Sequence, residues 1–198
     1  MEALKIVDSV NQCVTEKIQD WLMLEPESDQ RKRIGYSIQT VLTEAEKLLF
    51  TLGIFSVFGY WWQVCIVMAV TLSLRIFMGG IHRKTTIGCM IQTSLTIGTT
   101  IILSEKFIVR GSMSYMVFLL ALLEIWKLVP IPSETRISYN EKQKLLFKLK
   151  AMTVLLILSM LLSLASNRIG NIIWWSITMQ FIEVLYAFLR QEERRKRT

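Results

Sequence analysis

Residues 48–78 read LLFTLGIFSVFGYWWQVCIVMAVTLSLRIFM, and how this run is divided decides the fold. It is too long for one ordinary membrane-crossing helix and too short for two, since each crossing takes about 20 apolar residues. The run resolves if a first helix starts well upstream, near Ile34, and ends near Phe58. The cluster Tyr60, Trp61 and Trp62 then marks a membrane–water interface, where amphipathic rings prefer to sit. A second helix follows from about Trp62 to Met78. Helices are the only reasonable spanning elements here. Hydrocarbon offers no partner for backbone N–H and C=O groups, and the dense Leu/Ile/Met blocks lack the alternation of a membrane barrel.

Outward from this run the same logic predicts four more spans. They cover about Thr86 to Leu103, Ser112 to Val129, Ala151 to Ser166 and Ile172 to Leu189. Pro130 and Pro132 stop the fourth helix, because proline excludes helical geometry from the residue before it. Upstream, residues 3–24 carry Leu4, Val7, Val10, Val14, Ile18 and Trp21 at helical spacing, with Glu2, Asp8, Glu16 and Asp20 on the other face. That helix is too polar to span; it lies on the membrane surface or packs on the bundle. The expected architecture is all-α: one integral-membrane domain over 1–198, with a cytoplasmic amphipathic segment 1–33, six spans within 34–189 and a basic tail 190–198. The 52% hydrophobic composition and mean hydropathy of +0.41 agree, being high for a soluble domain. No cleavable signal peptide is expected from the start Met1-Glu2-Ala3-Leu4-Lys5, which lacks a basic region followed by an apolar core.

Lysine and arginine set the orientation. With both ends in the cytoplasm, 19 of the 23 basic residues fall inside, and Lys106, Arg110 and Arg168 fall outside. Lys47 lies within the first span. The chain has three cysteines, Cys13, Cys65 and Cys89, and one histidine, His82. No disulfide framework is expected from three distant thiols, and no metal or other cofactor, since the ligand spacing is absent. Cys13 and Cys65 read as packing residues.

The loop after the second span holds the most chemistry: Gly79-Gly80-Ile81-His82-Arg83-Lys84-Thr85, then Cys89. An imidazole can take a thiol proton, and the resulting thiolate is a good nucleophile for acyl transfer. In one straight helix the two residues would stand about 10.5 Å apart, beyond hydrogen-bond reach. His82 must therefore fold back over the start of the third helix. Gly79 and Gly80 permit that turn, since glycine tolerates positive φ. Thr85 is a candidate N-cap, which places Cys89 in the first turns, where N–H groups and the dipole favour a thiolate and an oxyanion. Gly88 lets a substrate approach the sulfur closely. By spacing alone, such a pair is far more often incidental than catalytic.

The run Arg75…Gly79-Gly80-Ile81-His82…Cys89 resembles the AgrB family of the Gram-positive accessory gene regulator system. That pattern has an arginine, a Gly-x-His element and a cysteine seven residues after the histidine. Arg33-Ile34-Gly35 at the head of the first span and Val129-Pro130-Ile131-Pro132 after the fourth extend the resemblance over nearly the whole chain. The proline loop departs from the usual form, which has a further proline near a basic residue downstream. The resemblance implies a membrane cysteine endopeptidase that cuts the C-terminal tail from an amphipathic AgrD-like precursor. It forms a thioester acyl-enzyme and supports closure of a thiolactone or lactone ring. Cys89 would be the nucleophile and His82 its base, with Arg75, Gly79, Gly80 and Gly88 in supporting or substrate-binding roles. The implied partners are the precursor peptide, membrane lipid and a second copy of the chain; no nucleic-acid partner is expected. The competing reading is a non-catalytic membrane protein, such as a small transporter or an assembly partner. A transporter more often shows repeats and broken helices, and the sequence has no clear repeat. A membrane metalloenzyme needs more than one histidine. The orientation has its own check: a reporter active only in the cytoplasm should be active when fused after Thr198 and silent when inserted beside Lys106.

Overall fold

The computed structural model describes residues 2–22, 28–79, 86–109, 112–131 and 140–197. Among them are seven helices and no strand: α1 Glu2–Trp21, α2 Asp29–Val57, α3 Trp61–Met78, α4 Thr86–Lys106, α5 Ser112–Leu128, α6 Glu141–Leu164 and α7 Asn167–Arg197. Four are long and apolar enough to cross a membrane: α3, α4 from Ile87, α6, and α7 as far as Glu193. α5, at 17 residues, is short of that measure. α2 carries Glu44, Glu46 and Lys47 in its middle. With these two, the helices match an architecture of about six spans preceded by an amphipathic helix. The chain is thus an all-helical membrane protein.

Two boundaries differ usefully from expectation. α6 begins at Glu141, ten residues before the apolar block, because Asn140 caps it and forms a reciprocal capping box with Gln143. Both orphan donors at that end are thereby satisfied, and Lys144 pairs with Glu141 at 2.7 Å one turn in. α7 runs on to Arg197 through Glu and Arg residues, which keep their side-chain freedom in a helix. Both polar extensions are invisible to a measure of apolarity.

The residues form two compact units, 1–61 with 82–95, and 62–81 with 96–198. In the first, α1 and α2 lie antiparallel. Asn11 Nδ2 donates to Glu46 Oε2 at 3.1 Å, Gln19 Nε2 to the Arg31 carbonyl at 2.7 Å, and Arg31 Nη2 pairs with Asp20 at 2.7 Å. The side of α1 that meets α2 is therefore the polar row Asn11, Thr15 and Gln19, all buried, whereas Val10 and Trp21 stay exposed. Of the two placements open to α1, the helix packs on α2 and yet leaves apolar side chains outward. Lys47 is fully buried and bonded to Glu44 at 2.7 Å. One turn on, Thr51 shares a 3.0 Å hydrogen bond with Ser94 of α4.

In the second unit, α7 packs against α5 and α6. Its Ile173, Ile177, Phe181 and Val184 join Leu74 and Met78 of α3, Ile125 of α5 and Leu155 of α6 in one core. The outer faces remain apolar, with Leu119 and Leu123 on α5 and Leu156, Met160 and Leu164 on α6 exposed. This is what a helix surrounded by lipid presents. Cys65 is exposed on α3, and Cys13 on α1. Neither is packed, contrary to the expectation from sequence.

Gly35 shows how tight the polar α1–α2 seam is. A Cβ there would collide with the Gln19 amide, which is committed to the Arg31 carbonyl. Ordinarily Gly→Ala within a helix stabilises by about 1 kcal/mol. Here it should instead destabilise by about 1 kcal/mol, since a buried hydrogen bond is lost and its groups stranded. Thermal melts in detergent should show Gly35→Ala lowering the midpoint in the wild-type background and raising it in a Gln19→Ala background.

Candidate functional site

Cys89 is the fourth residue of α4 and is 5% exposed. The helix starts at Thr86, so the sulfur stands in the first turn, where backbone N–H groups have no acceptor inside the helix and the dipole favours negative charge. That agrees with the placement expected from the sequence. Gly88, just before it, is half-buried in the same turn. Gly80, His82 and Thr85 lie outside the described residues, as does the rest of the loop between α3 and α4.

At the other edge of that loop, α3 ends on Arg75, in its last turn, and Met78. Gly79 follows with φ +86°, and its N–H closes the helix onto the Arg75 carbonyl at 3.0 Å. A glycine in the left-handed region is the ordinary way to end a helix. The Met78 carbonyl, left over by that turn, accepts from the Ile131 N–H at 3.1 Å. A Cβ on Gly79 would come within 3.3 Å of the Ile131 carbonyl oxygen. The structure thus joins two features noted separately in the sequence, the double-glycine turn and the proline loop, whose Val129–Pro130 peptide is cis. The basic start of α6 closes on the same unit. Lys148 Nζ donates to the Trp126 carbonyl at 2.7 Å, and Lys150 lies 5.9 Å from the Phe77 ring centre.

α4 continues from Cys89 as a row of hydroxyl residues. Thr96 Oγ1 donates to Glu183 Oε1 of α7 at 3.0 Å. Thr100 is fully buried and Ser104 nearly so. At the far end Asn171 of α7, itself buried, donates through Nδ2 to the carbonyls of Ser104 and Phe107. Its Oδ1 accepts from the Val109 N–H at 3.0 Å. Trp175 Nε1 adds a further bond to the Phe107 carbonyl at 3.0 Å. A carbonyl of the last turn of α4, that of Ser104, and the Phe107 carbonyl just beyond the helix are thus met by side chains from α7. The sequence reading missed Asn171, whose cue was an amide within an otherwise apolar segment. A cavity of about 410 Å³ in the second unit, lined by Tyr115, Phe118, Leu162, Ser163, Trp174 and Ile177 among others, holds none of the six residues selected from the sequence. Among the described residues no group of three or more His, Cys, Asp or Glu side chains forms a metal site.

Gly79→Ala should cost about 1–2 kcal/mol, the usual penalty for a side chain in the left-handed region. Gly79→Asn should cost less, because asparagine enters that region more readily. Thermal unfolding in detergent would rank the three proteins.

Compared with known proteins, the chain matches the family model described as Accessory gene regulator B over residues 11–184. No curated protein and no solved structure matches it.

Proposed function

The chain belongs to the accessory gene regulator B family, membrane proteins that process quorum-sensing peptides, and on that premise we propose that it is a cysteine endopeptidase acting on an AgrD-like propeptide. The observation that carries the reading is Cys89, a buried thiol in the first turn of α4, in the position that the family pattern gives its nucleophile.

In this mechanism His82 takes the thiol proton and the Cys89 sulfur attacks the scissile carbonyl carbon. The oxyanion forms beside the α4 N-terminus, whose N–H groups and dipole stabilise it. The carbon–nitrogen bond breaks, and the departing amine of the C-terminal tail takes the proton held by His82. The peptide remains as a thioester on Cys89. A cysteine thiol, or a serine hydroxyl, within the peptide then attacks the same carbonyl carbon. The ring closes as a thiolactone or lactone, and Cys89 leaves and regains its proton. Exchange of one thioester for another conserves the acyl activation, so closure needs no outside energy source.

Orientation supports the same reading. With the positive-inside arrangement, the His82–Cys89 loop faces the cytoplasm, where thiols stay reduced. The basic inner face steers an acidic peptide tail toward it. Arg75, Gly79, Gly80 and Gly88 support the loop and the approach of the substrate. The working form is a homodimer in the cell membrane.

Co-expression with the small peptide encoded beside its gene, followed by mass spectrometry, tests the proposal. The wild type should yield a truncated peptide. Cys89→Ala and His82→Ala should each abolish it while membrane levels stay normal. Cleavage that survives Cys89→Ala would sink the proposal, and leave a non-catalytic membrane role as the better reading.

A further inference from the structure

α5, α6 and α7 pack against one another in the second unit. Around Ile125, Leu155 and Val184 they share one core. Toward the turn between α6 and α7 they carry small residues instead, Ser159, Ser163, Ala165 and Gly170. Side chains of that size leave space between the helices, and the cavity of about 410 Å³ lies there. Its volume falls in the range of ligand pockets. All the residues that line it belong to the second unit.

The cavity runs from an exposed rim to a buried floor. Tyr115, Ser163 and Asn167 on its wall are exposed, whereas Asn171, Trp174 and Ile177 are buried. Along α7 the wall extends from Asn167 to Ile177, which is about 15 Å of helix and half the thickness of a hydrocarbon core of about 30 Å. The rim adjoins exposed apolar side chains, Leu119 of α5 and Met160 and Leu164 of α6, which is the surface that lipid covers. Among the described residues, no charged one lines the cavity. The Ser159 and Ser163 hydroxyls are bonded to carbonyls of their own helix, and Asn171 is committed to the end of α4. A water molecule needs two to four polar partners, and these walls offer it few. A peptide segment brings a donor and an acceptor with every residue, and burying them unmet is costly. A hydrocarbon chain brings neither.

We propose that this cavity is a lipid site, filled by one acyl chain of a membrane phospholipid whose glycerol end lies at the rim formed by Tyr115 and Asn167. The depth of the slot matches one leaflet, its floor is apolar, and its polar side chains stand at the rim, so its polarity follows that of the ligand from end to end. A chain seated there touches α5, α6 and α7 together and completes packing that their small residues leave open. The site is independent of Cys89 and of the peptidase reading.

The test uses the full chain, purified in detergent and stripped of lipid, with dioleoyl phosphatidylcholine as the probe. Native mass spectrometry counts the lipid retained, and thermal melts read its effect on stability, since a ligand bound to the folded state raises the melting temperature. The parent should retain one molecule and melt higher when the lipid is added. Ser159→Phe fills the cavity from within, at a position whose hydroxyl bonds the Leu156 carbonyl of its own helix. Ser163→Phe fills it at the rim, where the hydroxyl bonds the Met160 carbonyl. Each should hold about tenfold less lipid and show no lipid-dependent rise in melting temperature, while a cooperative melt shows that it is folded. Leu156→Phe, on the exposed side of the same helix, should behave as the parent does. Equal retention by the parent, both filled variants and Leu156→Phe would overturn the proposal, by placing the lipid elsewhere on the bundle. A parent that keeps no lipid would overturn it too. So would retention of oleate in place of the phospholipid when both are offered, which would make the ligand a free fatty acid.

Discussion

A chain that crosses hydrocarbon must keep the backbone hydrogen bonds of its spans within the protein, and groups released at the helix ends can be met by distant segments of the same chain. The ends of α3 and α4 show two answers. α3 closes on Gly79 and passes its spare carbonyl, that of Met78, to the Ile131 N–H. At α4 the Ser104 carbonyl is met by Asn171, and the Phe107 carbonyl just beyond the helix by Asn171 and the Trp175 indole. In each case the satisfying group comes from a segment more than fifty residues away in sequence. Terminating a helix and placing it against its neighbours are thus one event in this molecule, and both helices so treated border the loop that carries the family pattern.

Polar side chains do the same work in the first unit. α1 meets α2 through Asn11, Thr15 and Gln19, and leaves Val10 and Trp21 outward. Glu16, Lys17 and Asp20 stay exposed as well, while Val14 and Ile18 are half-buried, so the seam is polar without the helix being turned inside out. The hydrogen bonds specify one register where apolar contacts would accept several. The fully buried Lys47 is tolerated for the same reason: the Glu44 carboxylate lies one turn away, so the charge is not left unpaired.

Much of this was legible in the sequence, and the parts that were not share a cause. Apolar blocks and aromatic rings located α3, whose predicted and observed ends differ by a single residue at Trp61. The position of Cys89 near a helix start followed from the threonines before it. What escaped was where polar residues extend or join helices. The start of α6 at Glu141 was signalled by Asn140 and Gln143, but a hydropathy measure reads lysines there as a loop. Which side of α1 packs was left open, and Cys13 and Cys65 were read as packing residues from the usual behaviour of cysteine, whereas both are exposed. Asn171 could be noticed as an amide in an apolar segment. Its three partners, lying 62 to 67 residues away, could not be named without coordinates.

The Met78–Ile131 bond has a consequence for how such a chain can diverge. In the tripeptide Pro130-Ile131-Pro132 both prolines lack an amide hydrogen, so the one donor available is the donor α3 uses. The side chain at 131 is held as well, since Ile131 is buried in the core. The spacing of the prolines is equally fixed. Deleting Ile131 would present a proline nitrogen to the Met78 carbonyl, an insertion would move the donor off it, and in either case the Gly79 turn would lose its brace. Homologous chains should therefore keep both apolar side chains and a fixed length at this corner, the reverse of what surface loops usually permit.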